Sequence, residues 1–301
     1  MTDSVLTIGL APTFQKVLVF PSLRENEVNR SAVHTSVASG KAINVTRVLT
    51  KLGREAVNIT QLGGPRVDEF VSLCRAEGIA VRYFISAAET RTCTTLINEE
   101  KGTATELVEE ANEVEAEASS RLFSLFEEEE EKHAAVIISG TKAKGYSDTL
   151  IPDIVRRCRE KGKLTVLDIR GKDLINSLPC RPTIIKPNLC EFCSTFGITG
   201  GDDNEDTEKA VCDKMHELYE EYGIMSVITR GKRPTWCFDG KKFCTIENTL
   251  TLPVVNTVGC GDTLTGVMTH HLLNGDSLLQ AVGKGMEAAE RKASHRTFEF
   301  Q

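Results

Sequence analysis

Apolar runs of strand length alternate with helical periods along most of this 301-residue chain, and that order leaves few folds open. Residues 5–10 form a short buried-strand run, and 41–52 carry Ile43, Val45, Val48, Leu49 and Leu52 at helical spacing. Residues 57–62 read as a strand closing on Gly63-Gly64, followed by a helix near 67–77. Strands at 134–139, 164–168, 183–185 and 225–229 then alternate with helices at 148–161 and 205–222, and a last helix is expected at 262–273. Parallel strands need a crossover between them, usually a helix, so this order predicts an α/β fold. The expected form is a Rossmann-like three-layer sandwich with a mostly parallel central sheet covered on both faces.

Two regions break the rhythm. Residues 17–37 and 80–108 hold strand-like runs at 17–20, 81–85, 92–97 and 103–108 with no helix between them. Consecutive strands without crossovers usually pair antiparallel, which predicts a small second β-sheet placed as a lid. Residues 1–301 are therefore read as one domain, with lid strands inserted from about 12–37 and 80–110. The acidic run 127–131 ends a helical stretch that begins near Val114. Five adjacent carboxylates cannot share one helix face, so a solvated, frayed end is expected there.

Composition narrows the partners. A formal charge of −7 argues against nucleic acid and against an anionic membrane surface, both of which demand basic surface. No stretch approaches the ~20 apolar residues needed to cross a bilayer, and residues 1–10 lack the basic start of a signal peptide. A cytoplasmic location is expected, and with it ten reduced cysteines. Cys190 and Cys193 form a lone CxxC without a second pair or flanking histidines, a weak signal for zinc or redox chemistry.

The most informative stretch runs Val254-Val255-Asn256-Thr257-Val258-Gly259-Cys260-Gly261-Asp262-Thr263-Leu264-Thr265-Gly266. A β-like run ends in two glycines flanking one small residue, then an acid, then a helix. Glycines let backbone N–H groups approach a ligand closely, and a helix N-terminus adds unpaired donors and a positive dipole end. Such donors stabilise charge on a transferring phosphoryl group, and Asp262 beside them could take a proton from an attacking hydroxyl. The bland alternative is that Asp262 only caps the helix.

Here the chain resembles the ribokinase/PfkB family of carbohydrate kinases, in the branch of 1-phosphofructokinase and tagatose-6-phosphate kinase. The family signature D-T-x-G-A-G-D reads Asn256-Thr257-Val258-Gly259-Cys260-Gly261-Asp262, with Asn at the first position as in that branch. Its glycine motif reads Ser39-Gly40-Lys41-Ala42-Ile43-Asn44-Val45-Thr46-Arg47, preceded by Glu27-Val28-Asn29-Arg30. Arg91, Thr105-Glu106, Ser139-Gly140, Lys186-Pro187-Asn188-Leu189-Cys190-Glu191 and Thr229-Arg230-Gly231 follow in the family order.

The resemblance implies Mg²⁺-ATP-dependent phosphorylation of a sugar phosphate, most like a phosphofructokinase or tagatose-6-phosphate kinase. Asp262 would be the base, with the N–H groups of Cys260, Gly261 and Asp262 forming the anion hole after the turn at Gly259. Gln15, Gly40, Lys41, Asn44, Arg91 and Glu106 would meet the acceptor; Lys186, Asn188, Thr229, Gly231 and Thr257 would meet the nucleotide. Asn188 and Glu191 would hold Mg²⁺ through waters, their plainer use being a helix cap and a first-turn acid. The exposed edges of a lid sheet would suit a homodimer. Asp168 is expected to organise polar groups near the strand ends, with its role open.

The match fails in places. Ala11 and Gln15 stand where the branch has Asn and a sugar-binding Asp, Ser39 and Ala42 replace glycines, and Pro234 replaces the second glycine of the nucleotide loop. A site built around a carboxylate does not read the same substrate with a carboxamide in its place. Two rival readings follow: a kinase of an unphosphorylated sugar or nucleoside, and a non-catalytic sugar-phosphate sensor.

Overall fold

The structure, a computed structural model, describes residues 3–201, 204–249, 252 and 254–294. The chain runs β1 (Val5–Ile8), β2 (Thr13–Phe20), β3 (Val33–Ser39), α1 (Lys41–Lys51), β4 (Ala56–Gly63), α2 (Val67–Ala76) and β5 (Ala80–Ser86). It continues through β6 (Arg91–Asn98), β7 (Thr103–Val108), α3 (Ala118–Glu129), β8 (Ala135–Ser139), α4 (Leu150–Glu160), β9 (Leu164–Asp168) and α5 (Gly171–Ser177). The last third holds β10 (Ile184–Ile185), α6 (Leu189–Phe196), α7 (Glu205–Tyr222), β11 (Met225–Arg230), β12 (Arg233–Phe238), β13 (Phe243–Ile246), α8 (Cys260–Leu273) and α9 (Leu278–Ala293).

A nine-stranded sheet has the order β13-β12-β11-β10-β9-β8-β1-β4-β5. Its pairs from β11 to β5 are parallel, while β12 and β13 add an antiparallel edge. Strand side chains alternate between two cores. Val5, Ala135 and Ile137 pack with Val45 and Leu49 of α1, Leu264 and Met268 of α8, and Val282 of α9. Leu6, Ile8, Val136 and Ile138 face the other way, toward Leu122 of α3, Ile154 of α4, Phe192 of α6 and Met215 of α7. Both faces of the sheet are therefore dry, as a parallel sheet requires.

Strands β3-β2-β6-β7 form the second, smaller sheet. Pairs β2–β3 and β6–β7 are antiparallel as expected, but β2 and β6 run parallel because a long excursion through the main sheet separates them. Phe14 of β2 and Ala38 of β3 pack on Ile43, Leu62 and Phe70, fixing the root of this lid to the main body. Val33, Leu107 and Val108 on its outer strands are more than half exposed.

Two expectations need correction. The run 81–85 is not a lid strand: β5 pairs in parallel with β4 at the edge of the large sheet. Helix α2 supplies the crossover between them, so the second lid segment begins only at Arg91. The acidic run is also not uniformly solvated. Glu129 and Glu130 are buried, because Arg82 reaches Glu129 at 2.7 Å and Arg157 reaches Glu130 at 2.7 Å. Buried carboxylates persist only with such partners.

Helix α8 lies against α1 closely enough that a Cβ on Gly266 would come within 2.8 Å of Val48 Cγ1 and 3.3 Å of the Val45 carbonyl oxygen. Gly266→Val should therefore wedge the two helices apart and cost about 1–3 kcal/mol of stability, read from urea unfolding. An unchanged midpoint would mean that this contact does not set the helix spacing.

Candidate active site

The main sheet reverses its winding at β1, with β4 on one side and β8 on the other. In such sheets a crevice opens beyond the carboxyl ends of the strands at the reversal. Gly9 after β1 and Ser139, Gly140 and Thr141 at the end of β8 line a cavity of about 130 Å³ there, together with Pro12, Gly40, Lys41, Thr60 and Arg91. A larger cleft of about 990 Å³ lies beside it, over the ends of β10 and β11. Asn188, Thr229, Gly231, Thr257, Cys260 and Gly261 line that cleft, and its far wall comes from Met286, Ala289 and Ala293 of α9.

The loop Asn256–Gly259 is shaped locally. Asn256 is buried, and its Oδ1 accepts the Val258 N–H at 3.0 Å. Gly259 then takes φ 82°, the left-handed region, and starts α8 with no side-chain cap. The Cys260 N–H turns back to the Thr257 carbonyl at 3.2 Å. The next first-turn N–H groups, of Gly261 and Asp262, belong to the uncapped end that favours an anion. Gly40 plays the same part for α1, with φ 113° and no side-chain cap.

Asp262 lies in that first turn of α8 and is buried. Asn44 of α1 donates Nδ2–H to Asp262 Oδ2 at 2.7 Å. Burial pushes the Asp262 carboxyl up to about 6, against the pull of Lys41, the Asn44 hydrogen bond and Lys186. Asp168, at the end of β9, behaves in the opposite way. Burial alone would raise it, but Lys186 and Lys41 more than offset that, and its pKa falls below the ordinary value. Lys186 Nζ is 3.3 Å from Asp168 Oδ2, and Lys41 Nζ is 3.6 Å from Asp168 Oδ1. Thr265 Oγ1 and Ser139 Oγ also donate to Asp168 Oδ2, at 3.4 and 3.3 Å. The role left open for Asp168 is thus the counterion of two lysines.

Lys41 Nζ lies between Asp168 and Glu191, 3.6 Å from each, and Asp168 is the main reason that its pKa is raised. Buried Lys186 stands beside the α8 N-terminus, where a Cβ on Gly261 would be 3.8 Å from its Nζ. Asp168 therefore links Lys41, which lines the smaller cavity, to Lys186, which stands beside the α8 turn that lines the larger one. Cys260 also lines the larger cavity, but burial pushes its thiol up to about 11, so it stays protonated.

The remaining sequence-nominated residues fall into three places. Asn188 and Glu191 do form a capping box at α6, the Asn188 Oδ1 accepting the Glu191 N–H at 2.8 Å. Glu191 nonetheless turns Oε1 toward Lys41 at the cleft. Among the described residues no group of three or more His, Cys, Asp or Glu side chains could cage a metal ion. The carboxylate and amide oxygens at 188 and 191 are hard donors, which fits Mg²⁺ held through waters and ligand phosphates. Arg91 lines the small cavity; its Nη1 donates to the Glu109 carbonyl at 2.6 Å, and its buried Nε has no partner among the described residues. Gln15 and Glu106 are apart from both cavities. Gln15 is buried in the lid and donates Nε2–H to Thr95 Oγ1 at 2.9 Å, while Glu106 is exposed on β7 opposite Thr95. Sequence reasoning missed Thr60, Thr141 and the α9 wall, none of which carries a local motif.

The fold has known relatives. The chain superposes on phosphofructokinase-2 from Escherichia coli in complex with potassium with a TM-score of 0.86, at 20% identity, covering 98% of this chain and 94% of that one. The same enzyme in complex with fructose-6-phosphate matches with a TM-score of 0.84 at 20% identity, covering 96% and 93%. A Thermotoga maritima protein described as a possible 1-phosphofructokinase matches with a TM-score of 0.89 at 20% identity, covering 99% and 94%. At the level of sequence, residues 3–297 match the pfkB family carbohydrate kinases. With a family match over nearly its whole length, this chain belongs to the pfkB family of carbohydrate kinases, phosphotransferases that act on a sugar hydroxyl.

Proposed function

We propose that the chain transfers the γ-phosphate of ATP to a hydroxyl of a sugar phosphate, in the manner of a phosphofructokinase or tagatose-6-phosphate kinase, with Asp262 taking the hydroxyl proton. One observation carries this reading: a buried carboxylate with a raised pKa stands in the first turn of an uncapped helix whose Cys260 and Gly261 line the larger cavity, with Lys41 of the smaller cavity acting on it. A general base near neutrality is what proton abstraction from a hydroxyl needs. The larger cleft has room for a nucleotide, whose terminal phosphates would meet Thr229, Gly231, Lys186 and the Gly261 and Asp262 N–H groups. Mg²⁺, positioned through waters by Asn188 and Glu191, would neutralise charge on the phosphate oxygens.

The acceptor would occupy the small cavity. Its lining includes Lys41 and Arg91, two cations that suit a second phosphate. A free sugar is the second reading, motivated by Gln15 standing where the related branch has a sugar-binding Asp; here its carboxamide serves Thr95 inside the lid.

Asp262→Asn should lower kcat on the order of a thousandfold while leaving the nucleotide Kd nearly unchanged. Retained turnover would remove Asp262 as the base. Arg91→Ala should raise KM for a fructose monophosphate by roughly tenfold or more and leave KM for fructose alone. A wild-type enzyme that prefers the free sugar would reverse the substrate assignment.

The pH dependence has a definite sign. Asp262 must be ionised to act, so kcat/KM should fall as pH drops through about 6. Its stability effect runs the other way. A carboxyl whose pKa is raised on folding binds protons more tightly in the folded state, so wild type loses stability as pH rises from about 4 to about 6. The gap between Asp262→Asn and wild type should therefore open in favour of the variant over that window, reach on the order of 2–3 kcal/mol, and stay flat above it. Denaturation midpoints across pH would measure it, and a gap independent of pH would contradict the raised pKa.

A further inference from the structure

The Asp262 carboxylate is held by a chain of hydrogen bonds that reaches the lid. Asn44 gives its Nδ2–H to Asp262 Oδ2, but a carboxamide can turn over, and the flipped form would aim an oxygen at the carboxylate. Two donors prevent the flip. Asn44 Oδ1 accepts from Arg47 Nη1 at 2.6 Å and from Ser39 Oγ at 3.0 Å. Arg47 is itself buried and hydrogen-bonded through all three of its nitrogens. Its Nε donates to Glu77 Oε2 at 2.5 Å, and its Nη2 donates to Glu77 Oε1 at 3.1 Å and to the Ala38 carbonyl at 2.5 Å. Ala38 and Ser39 end β3, where Ala38 pairs with Phe14 of β2. One guanidinium thus joins the orienting amide, the root of the lid and the residue that closes α2.

We infer that Arg47 is a positioning residue for the phosphoryl transfer: it locks the Asn44 carboxamide so that it donates to Asp262, and it ties that orientation to lid strand β3. The inference rests on Asp262 serving as the base. With Oδ2 held by Asn44, Oδ1 is the oxygen left to accept the proton of the acceptor hydroxyl. The hydroxyl oxygen then bonds to the γ-phosphorus, and ADP departs with the electrons of the broken P–O bond. A rotated carboxylate would present the wrong lone pair at the moment of attack, and small misplacements of this kind are costly.

The charges around this chain are few. Lys41 of α1, Asp168 at the end of β9 and Lys186 after β10 act on Asp262, and Glu191 of α6 acts on Lys41. Around Arg47 stand Glu77, Cys74 of α2 and Lys292 of α9. Arg47 is not among the main charges acting on Asp262, so its influence passes through Asn44. The Asn44 hydrogen bond favours ionised Asp262, and losing it moves the acid limb of kcat/KM to higher pH.

Arg47→Lys keeps the buried cation but cannot reach three partners at once. It should lower kcat by roughly ten- to a hundredfold, leave nucleotide affinity in place, and raise the acid limb by about half to one pH unit. Asn44→Ala should shift the limb in the same direction, and the double variant should be no worse than Asn44→Ala alone. A lowered melting temperature with kcat and the acid limb unmoved, or full additivity in the double variant, would reduce Arg47 to a structural ion pair and overturn the inference. If Arg47→Lys does not fold, Glu77→Gln serves, since that side chain is 26% exposed and its change is milder. A smaller upward shift of the limb is then expected, and an unmoved limb sinks the idea. Turnover by Asp262→Asn would instead sink the base assignment itself, whereas an inactive Asp262→Asn beside an unmoved Arg47→Lys limb sinks the positioning role alone.

Discussion

The hydrogen bond from Asn44 to Asp262 joins the first turns of two helices that are 218 residues apart in sequence, and the site exists only where those turns meet. Both helices lie on one face of the sheet, packed through Val45, Leu49, Leu264 and Met268. Both begin on a glycine with positive φ and without a side-chain cap. Two open helix ends therefore face one crevice, each adding unpaired N–H groups and a partial positive charge. Helix α1 returns between the parallel strands β1 and β4, so its N-terminus faces the strands' carboxyl ends, and α8 packs beside it on the same face of the sheet.

Electrostatics then divides the labour between two buried carboxylates. Asp168 has Lys186 and Lys41 against it and stays ionised, while Asp262 has less compensation for the same burial and titrates near neutrality. Environments that push two acids apart in this way fit the proposed roles, Asp168 as a fixed charge and Asp262 as a proton acceptor. The arrangement also explains why Lys41 is not simply a free surface cation. Its ammonium is held between Asp168 and Glu191, while its side chain lines the smaller cavity together with Arg91.

Much of this was legible in the sequence because it is local. The helical period of 41–52 and the Gly259-Cys260-Gly261-Asp262 turn are decided within a few residues, and both stand where the pattern places them. What escaped depends on partners distant in the chain. Residues 81–85 look alike in a lid or at the edge of a large sheet, and only their pairing with β4 decides. Glu129 and Glu130 read as solvated until Arg82 and Arg157 arrive from other elements. Asp168 offers no motif, since its meaning comes from lysines at 41 and 186. Nothing local to Asn44 announces its protein partners, which are Asp262, Arg47 and Ser39.

Gln15 shows how one substitution can be read through its neighbours. Its Nε2 donates both to Thr95 Oγ1 and toward the Lys16 carbonyl at 3.4 Å, so the pocket around it is built of acceptors. A carboxylate at this position would meet the Lys16 carbonyl with no proton to offer, and burial would add a desolvation cost. The lid therefore uses its buried polar residue internally, as a rivet between β2 and β6. A ligand in the small cavity meets backbone around Gly9 and Gly40, the hydroxyl-bearing Thr60 and Ser139, and the cationic rim of Lys41 and Arg91. Such a lining offers positive charge and backbone donors, which fits the sugar phosphate proposed above.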